Sequence, residues 1–412
     1  MGLTIHTLAK KMRIAFLSSI YPAHAEKIYR ENPSLKDKSS DEQMEFIRWH
    51  ALSSYVRWFE LLELQGFVTC SFNHNLPEVG LAWAKENKYK PKSNDSILEI
   101  GMEKIKRFKP DVIFSFAPLT YLKNNFLDEL IGALSKKPRI IAWYGANCGD
   151  EKIFRYFDLT LSNSKHLVNS IKEKGIKADF LQHAFDPIIL DKIKIPKKRL
   201  KRVAFFGNID VSTRGFRDRT RLLEQISDQT NILDVYGAHK VPTPKERTKY
   251  ALLNLRQNIS SSIRQIVPIK KIIYWSDAKY LPPSPWELSK NFCKRIKSPL
   301  YGQEMLQKLS SYQLALNYHN KHTGNFACNM RLFEATGLGC ALITDHKSDL
   351  HEYFNHGREI LSYKNKNELM EILNHISEYH LNEIGKKAQY HVLNNYNTEK
   401  QIKVLSDIFI NL

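Results

Sequence analysis

A chain of 412 residues with a formal net charge of +19 is too long for one hydrophobic core, so at least two domains are expected. Its 42% hydrophobic and 25% charged residues exclude a disordered polymer. No apolar run nears the ~20 residues that cross a bilayer. The start MGLTIHTLAKKMRIAFLSS lacks a signal-peptide core and cleavage site, and His6 breaks the myristoylation pattern that Met1 and Gly2 begin. Cys70, Cys148, Cys293, Cys328 and Cys340 are odd in number and never spaced C-x-x-C. That excludes a disulfide framework and a zinc site, and points to the reducing cytosol.

In chain order, RIAFLS (13–18) reads as a first strand followed by a polar loop, SIYPAH. Phe46, Ile47, Ala51, Tyr55, Trp58, Leu62 and Leu64 recur at spacings of three and four, which predicts one helix over 41–65, stopped at Gly66. FVTCSF (67–72) is a second strand, Ile97–Phe108 a helix, and DVIFSFA (111–117) and RIIAWYG (139–145) are strands. LTLSNS (159–164) and ADFLQHA (178–184) are strands on either side of the helix KHLVNSIKEKG. This alternation predicts a parallel sheet with helices on both faces.

The Pro- and Lys-rich FDPIILDKIKIPKKRLK (185–201) is a linker, and the pattern then restarts. RVAFFGNID (202–210), NILDVYG (231–237), LALNYH (314–319) and CALITD (340–345) build a second doubly wound domain. The expected bounds are 1–195 and 196–385, with 386–412 a helical segment returning to the first domain. Two such domains place a cleft between the carboxyl ends of strands, where ligands of these sheets bind.

A basic insertion interrupts the second domain. From Lys240 to Lys297 there are 13 Lys or Arg against 3 Asp or Glu, more than half of the net charge. Leu252, Leu255, Ile259, Ile263, Ile266 and Val267 lie near helical spacing, with Lys249, Arg256, Arg264, Lys270 and Lys271 elsewhere. Such a segment either lies on an anionic membrane surface or covers the domain core with its apolar face. The charge itself implies an anionic partner: phosphate-bearing lipid, nucleic acid or a nucleotide.

The stretch NMRLFEATGLGCALITD (329–345) is a short helix, a tight turn and a strand covered on both faces. Asn329 is a candidate N-cap, and Gly337 and Gly339 stop the helix. Glu334 sits between Phe333 and Ala335, costly for a carboxylate without hydrogen-bond donors. Those donors belong either to Arg331, three residues back on the same face, or to a ligand such as the vicinal hydroxyls of a ribose.

These residues carry a resemblance. NxRxFEATGLGCALITD, with LHEYFNHGREILSYKNKNELMEIL after it, resembles the C-terminal signature of GT-B glycosyltransferases, in particular the group-1 type of CgeB-like proteins. YFDLTLSNSKHL, ADFLQHAFDPIIL, RVAFFGNIDVSTRGFRDR, LDVYG and YGQEMLQKLSSYQLALNYH fit in order. The resemblance spans roughly residues 100 to 380, is strongest near Glu334 and excludes the basic insertion. It implies two Rossmann-like domains facing a cleft, with the C-terminal helix packed back on the first.

The resemblance also implies roles. Glu334 would bind ribose hydroxyls, and the helix N-terminus at Asn329 and Met330 would offer N–H groups to a donor pyrophosphate, helped by Arg331. Gly207 and Asn208, closing a strand, would let backbone approach phosphate, and Arg214 or Arg219 would clamp it. Retaining transferases carry a glutamate eight residues before the one matching Glu334, and here that residue is Phe326. Contacts to the transferred sugar are therefore expected from His322, Thr323, Gly324 or Asn325. On the acceptor side, His24 is a candidate general base for an inverting reaction, with Ser19, Tyr21, Trp143, Tyr144 and Asn147 lining the cleft. There is no D-x-D and no cluster with metal spacing, so cations and the helix dipole are expected to offset charge on a departing nucleotide diphosphate without metal or other cofactor.

The functional expectation is a glycosyltransferase moving a sugar from a nucleotide donor to a hydroxyl of a glycan or glycolipid. It is expected to be bacterial and cytoplasmic, peripheral at the inner face of the plasma membrane, and to serve surface-polysaccharide synthesis (lipopolysaccharide, O-antigen or capsule). A nucleotide-sugar epimerase of the same architecture is an alternative. A basic nucleic-acid-binding protein ranks below both, because no stacking aromatics interleave the basic residues and no helix-turn-helix, RRM or zinc-finger pattern occurs.

Overall fold

The computed structural model describes residues 12–211, 214–239, 288–320 and 323–412, apart from 53–54, 56, 93–95, 124, 146–149 and 376, together with 243, 245 and 248. Two six-stranded parallel sheets form its frame. The first holds β1 (Arg13–Ser18), β2 (Val68–Asn73), β3 (Val112–Ser115), β4 (Arg139–Trp143), β5 (Leu159–Ser162) and β6 (Ala178–Phe180), in the order β2-β1-β3-β4-β5-β6. The second holds β7 (Leu200–Phe206), β8 (Leu233–Tyr236), β9 (Ile296–Lys297), β10 (Tyr312–Asn317), β11 (Ala341–Asp345) and β12 (Leu361–Tyr363), in the order β12-β11-β10-β7-β8-β9. Near-continuous apolar runs form these strands because both faces are covered. In β1, Ile14 and Phe16 enter one core layer while Ala15 and Leu17 enter the other. In the second sheet, Val203 and Phe205 oppose Ala204 and Phe206 in the same way.

The predicted helix over 41–65 is two helices, Ser40–Ala51 and Trp58–Leu64. The first begins at a capping box between Ser39 and Glu42 and ends at Leu52, whose φ of 35° is left-handed. Apolar spacing continues through the break because its two parts serve different cores. Trp58 packs on the first sheet with Ile14 and Phe114, whereas Leu52 turns into the core of the second domain. The sequence analysis does not predict the helices Pro22–Glu31 and Pro77–Glu86, each opened by a proline in its first turn.

Of the basic segment, 249–287 and most of 240–248 lie outside the described residues. Its last part belongs to the sheet: Ser289 caps the turn Lys290–Cys293, and β9 pairs with β8. Helix Glu378–Asn395 stays on the second domain, with Leu381 and Ile384 against Leu314 and Ile343. Helix Thr398–Asn411 crosses back, burying Ile402, Leu405 and Phe409 against Ile14, Phe16 and Phe114. The two crossings run side by side: Phe185 N–H donates to Tyr396 O at 2.8 Å, and Thr398 N–H to Phe185 O at 3.2 Å. Among the described residues no helix is long and apolar enough to cross a membrane.

Candidate functional site

Strand order reverses at β7, which lies between β10 and β8, and opens a crevice beyond the carboxyl ends of the strands. Gly207 and Asn208 follow β7 there. A Cβ at Gly237, after β8, would lie 2.0 Å from Gly207 O, so only glycine lets these two loops close on each other. Arg219, on helix Arg214–Gln229, spans the crevice floor. Its Nη2 donates to Asn208 O at 2.6 Å and its Nη1 to Asn320 Oδ1 at 3.3 Å, while the guanidinium stacks on Phe216 and Phe205. Burial lowers its pKa to about 10, which still leaves a cation at neutral pH. Its buried Nε has no partner. Arg214 opens the same helix, with its side chain outside the described residues.

Glu334 occupies helix Arg331–Gly337 and is 6% exposed. Its Oε2 accepts from Arg331 Nη1 at 2.6 Å, so the same-face pairing weighed from the sequence is present. Arg331 also reaches Met305 Sδ and lies 5.6 Å from the Phe206 ring at the end of β7, with its Nε buried and without a partner. Asn329 is not the helix cap. Its amide is claimed by the end of β10, donating to Asn317 Oδ1 at 2.8 Å and Tyr318 O at 3.1 Å, and the helix starts one residue later, behind Met330, with no side-chain cap. Gly337 seats this helix on the linker, where a Cβ would meet the Phe185 ring at 2.3 Å.

The loop from Thr323 to Cys328 is where the domains meet. Thr323 is buried and donates to Asn320 O; Gly324 adopts φ +60° against the His166 ring; Asn325 is exposed and its carbonyl accepts from Ser348 N–H. His322 lies outside the described residues. Cys328 O accepts from Asn163 Nδ2 at 2.5 Å, and the same amide meets His183 Nε2 at 2.9 Å. Burial keeps His183 neutral, with its pKa lowered to about 4. Lys165 adds ion pairs to Glu352 at 2.5 Å and Asp349 at 3.7 Å. Beside this loop, His319 Nδ1 lies 2.7 Å from Asp345 Oδ1. Asn163, His183, Asn317, His319 and Asp345 escaped the sequence reading. The signal available was their position, since each polar residue lies at or just past the end of an apolar strand run.

The acceptor-side expectations need one correction. His24 is not in a loop: Pro22 starts a helix at that point, and His24 is 7% exposed, stacked on Tyr301 of the second domain at 5.5 Å. Burial, then the charges of His50 and Lys27, lower its pKa to about 4 against an opposing pull from Glu304. Lys27 pairs with Glu304, and the backbone of Gly302 lies against His50 O, so His24 belongs to an interdomain contact. Ser19 is exposed, as is Tyr21 at 73%. Trp143 packs on Tyr55 at 5.6 Å and His183 at 5.8 Å, whereas Tyr144 packs on Phe154 within the first-domain core. Asn147 lies outside the described residues.

With this geometry, comparison with known proteins is informative. Residues 251–407 match the family described as glycosyl transferase-like. The match starts inside the basic segment, which the sequence reading had set apart, and runs past residue 380. No curated protein sequence matches the chain. Among solved structures, an alpha-glucosyltransferase in complex with UDP-glucose and DNA is similar at TM-score 0.55 and 10% identity, over 97% of this chain and 99% of that one. Sucrose-phosphate synthase from Thermosynechococcus elongatus is similar at TM-score 0.53 and 12% identity, over 97% and 99%. Anabaena HepE in complex with UDP-glucose is similar at TM-score 0.52 and 10% identity, over 97% and 100%. At these identities the likeness is one of fold, and the fold is GT-B.

Proposed function

We propose that this chain, a GT-B glycosyltransferase by its fold and by the family match of residues 251–407, moves a sugar from a nucleotide donor to a hydroxyl of a glycan or glycolipid. The observation that carries the donor reading is the buried Glu334–Arg331 pair beside the β7–β10 crevice. One carboxylate oxygen there is held by Arg331, and the two lone-pair sites of a second oxygen suit a ribose diol. Arg219 and Arg331, each with a buried Nε lacking a partner, supply positive charge for a diphosphate leaving group without a metal ion. Similar folds solved with UDP-glucose support a nucleotide sugar as the donor class.

The acceptor would enter from the first domain, past Trp143, Tyr21 and the loop 323–328. A glycan of a bacterial surface polysaccharide, handled on the cytoplasmic face of the membrane, fits the net charge of +19 through attraction to anionic lipid. The same charge favours a second acceptor class, a nucleic acid.

Thermal-shift titration with UDP, GDP, dTDP, CMP and ADP tests the donor reading, because a ligand that binds only the native state raises its stability by mass action. One diphosphate is expected to stand out. Stabilisation by none of them sinks the proposal. Release of that diphosphate from its sugar conjugate, stimulated by lipid-linked glycan but not by duplex DNA, supports a glycan acceptor, and the opposite pattern supports nucleic acid. Release of no diphosphate, with the sugar isomerised, identifies an epimerase.

A further inference from the structure

We propose that His319 is a specificity-determining residue that hydrogen-bonds, through Nε2, to a hydroxyl of the sugar on the nucleotide donor. The inference rests on the nucleotide-sugar reading above. His319 lies two residues past β10 and is 1% exposed. Its Nδ1 and its backbone N–H address one oxygen, Asp345 Oδ1, at 2.7 and 2.8 Å. Asp345 ends β11 and also meets Lys347 Nζ at 3.4 Å. Burial opposes ionisation of Asp345, but the hydrogen bond and charge from His319 and the charge of Lys347 outweigh it and hold the carboxyl below its usual range.

A carboxylate only accepts, so a proton sits on Nδ1, and the other ring nitrogen is Nε2. That nitrogen is buried and has no partner. An unmatched buried polar nitrogen is unfavourable, and a hydroxyl, which both donates and accepts, is suited to complete it. Two cations already flank the site, Lys347 on Asp345 and Arg219 on the neighbouring Asn320.

Position selects the sugar rather than the nucleoside. Asn320 links this dyad to Arg219 and, through it, to Asn208 at the end of β7. On the other side, Thr323 donates to Asn320 O and the loop runs on to Cys328, where Asn163 of the first domain takes hold. His319 thus lies between the crevice assigned to phosphate and the loop that faces the acceptor domain.

The test compares full-length wild type with His319→Leu and His319→Gln, measuring dissociation constants for UDP, GDP and dTDP beside UDP-glucose, GDP-mannose and dTDP-glucose. The wild type is expected to bind one sugar conjugate about tenfold more tightly than its parent diphosphate, the size of one good hydrogen bond. His319→Leu is expected to erase that ratio while diphosphate affinity stays within about twofold, and His319→Gln to restore part of it. An unchanged ratio in His319→Leu, or equal weakening of diphosphate and conjugate, overturns the assignment but leaves the donor reading intact. Failure of wild type to bind any diphosphate overturns both. Should His319→Leu not fold, His319→Gln decides, since a ratio equal to wild type rules out a role for the imidazole.

Discussion

The carboxyl edges of the two sheets carry different chemistry on the same platform. In the first domain the edge is aromatic: Tyr55, Phe116 and Trp143 have ring centroids 4.8 to 6.1 Å apart, and both nearby histidines, His24 and His183, are held neutral chiefly by burial. In the second domain the edge is ionic, with Arg219 over Asn208, the His319–Asp345 dyad and the Arg331–Glu334 pair. An aromatic wall suits the apolar faces of a sugar ring, and an array of fixed charges suits a phosphorylated donor. Parallel strands alone do not assign a role to a domain; the residues just past their ends do.

The largest test of this contrast is Glu334→Ala. It removes a buried carboxylate from the ionic edge and leaves Arg331 uncompensated, so affinity for the stabilising nucleoside diphosphate is expected to fall about 100-fold, ~2.7 kcal/mol. Isothermal titration checks this, and undiminished affinity would place the ribose elsewhere. Next is Gly337→Ala, which drives a methyl group into Phe185, 2.3 Å away, where helix Arg331–Gly337 rests on the linker. A loss of about 2 kcal/mol in urea unfolding is expected. Unaltered stability would mean that the linker yields without cost.

The aromatic edge predicts acid sensitivity. His24 and His183 have folded pKa values lowered to about 4 from 6.5, so the unfolded chain binds more protons between those values. Their stabilisation is complete above pH 6.5 and is lost as pH falls toward 4, by about 1 kcal/mol each between pH 7 and 5.5. Melting temperatures across that range, compared with His24→Phe, measure it, and a slope identical in the variant excludes His24 as a contributor. The smallest effect is expected for activity of His24→Ala, within about threefold in kcat/KM because the ring is buried in a domain contact, whereas loss of a general base costs 10²-fold or more.

Fold and site were legible to different depths. Strand runs such as RIAFLS, DVIFSFA and CALITD located the sheets because a strand covered on both faces must be apolar almost throughout. The burial of Glu334 was legible for the converse reason, a charge among apolar neighbours. The helix break at Leu52 was hidden because both halves keep apolar spacing while serving different cores. His24 was misplaced because Pro22, read as part of a loop, opens a helix.

What the sequence determined by itself is the alternation of elements, the two-domain plan and the residues whose chemistry is odd for their surroundings, since these follow from local hydrophobicity and turn chemistry. Tertiary structure alone decided which polar groups distant in sequence meet. Arg219 reaches Asn320 across 101 positions, Asn163 reaches Cys328 across 165, and His319 faces Asp345 across 26. Parallel topology brings the ends of distant strands to one edge, and no local pattern records which neighbour each side chain will find there.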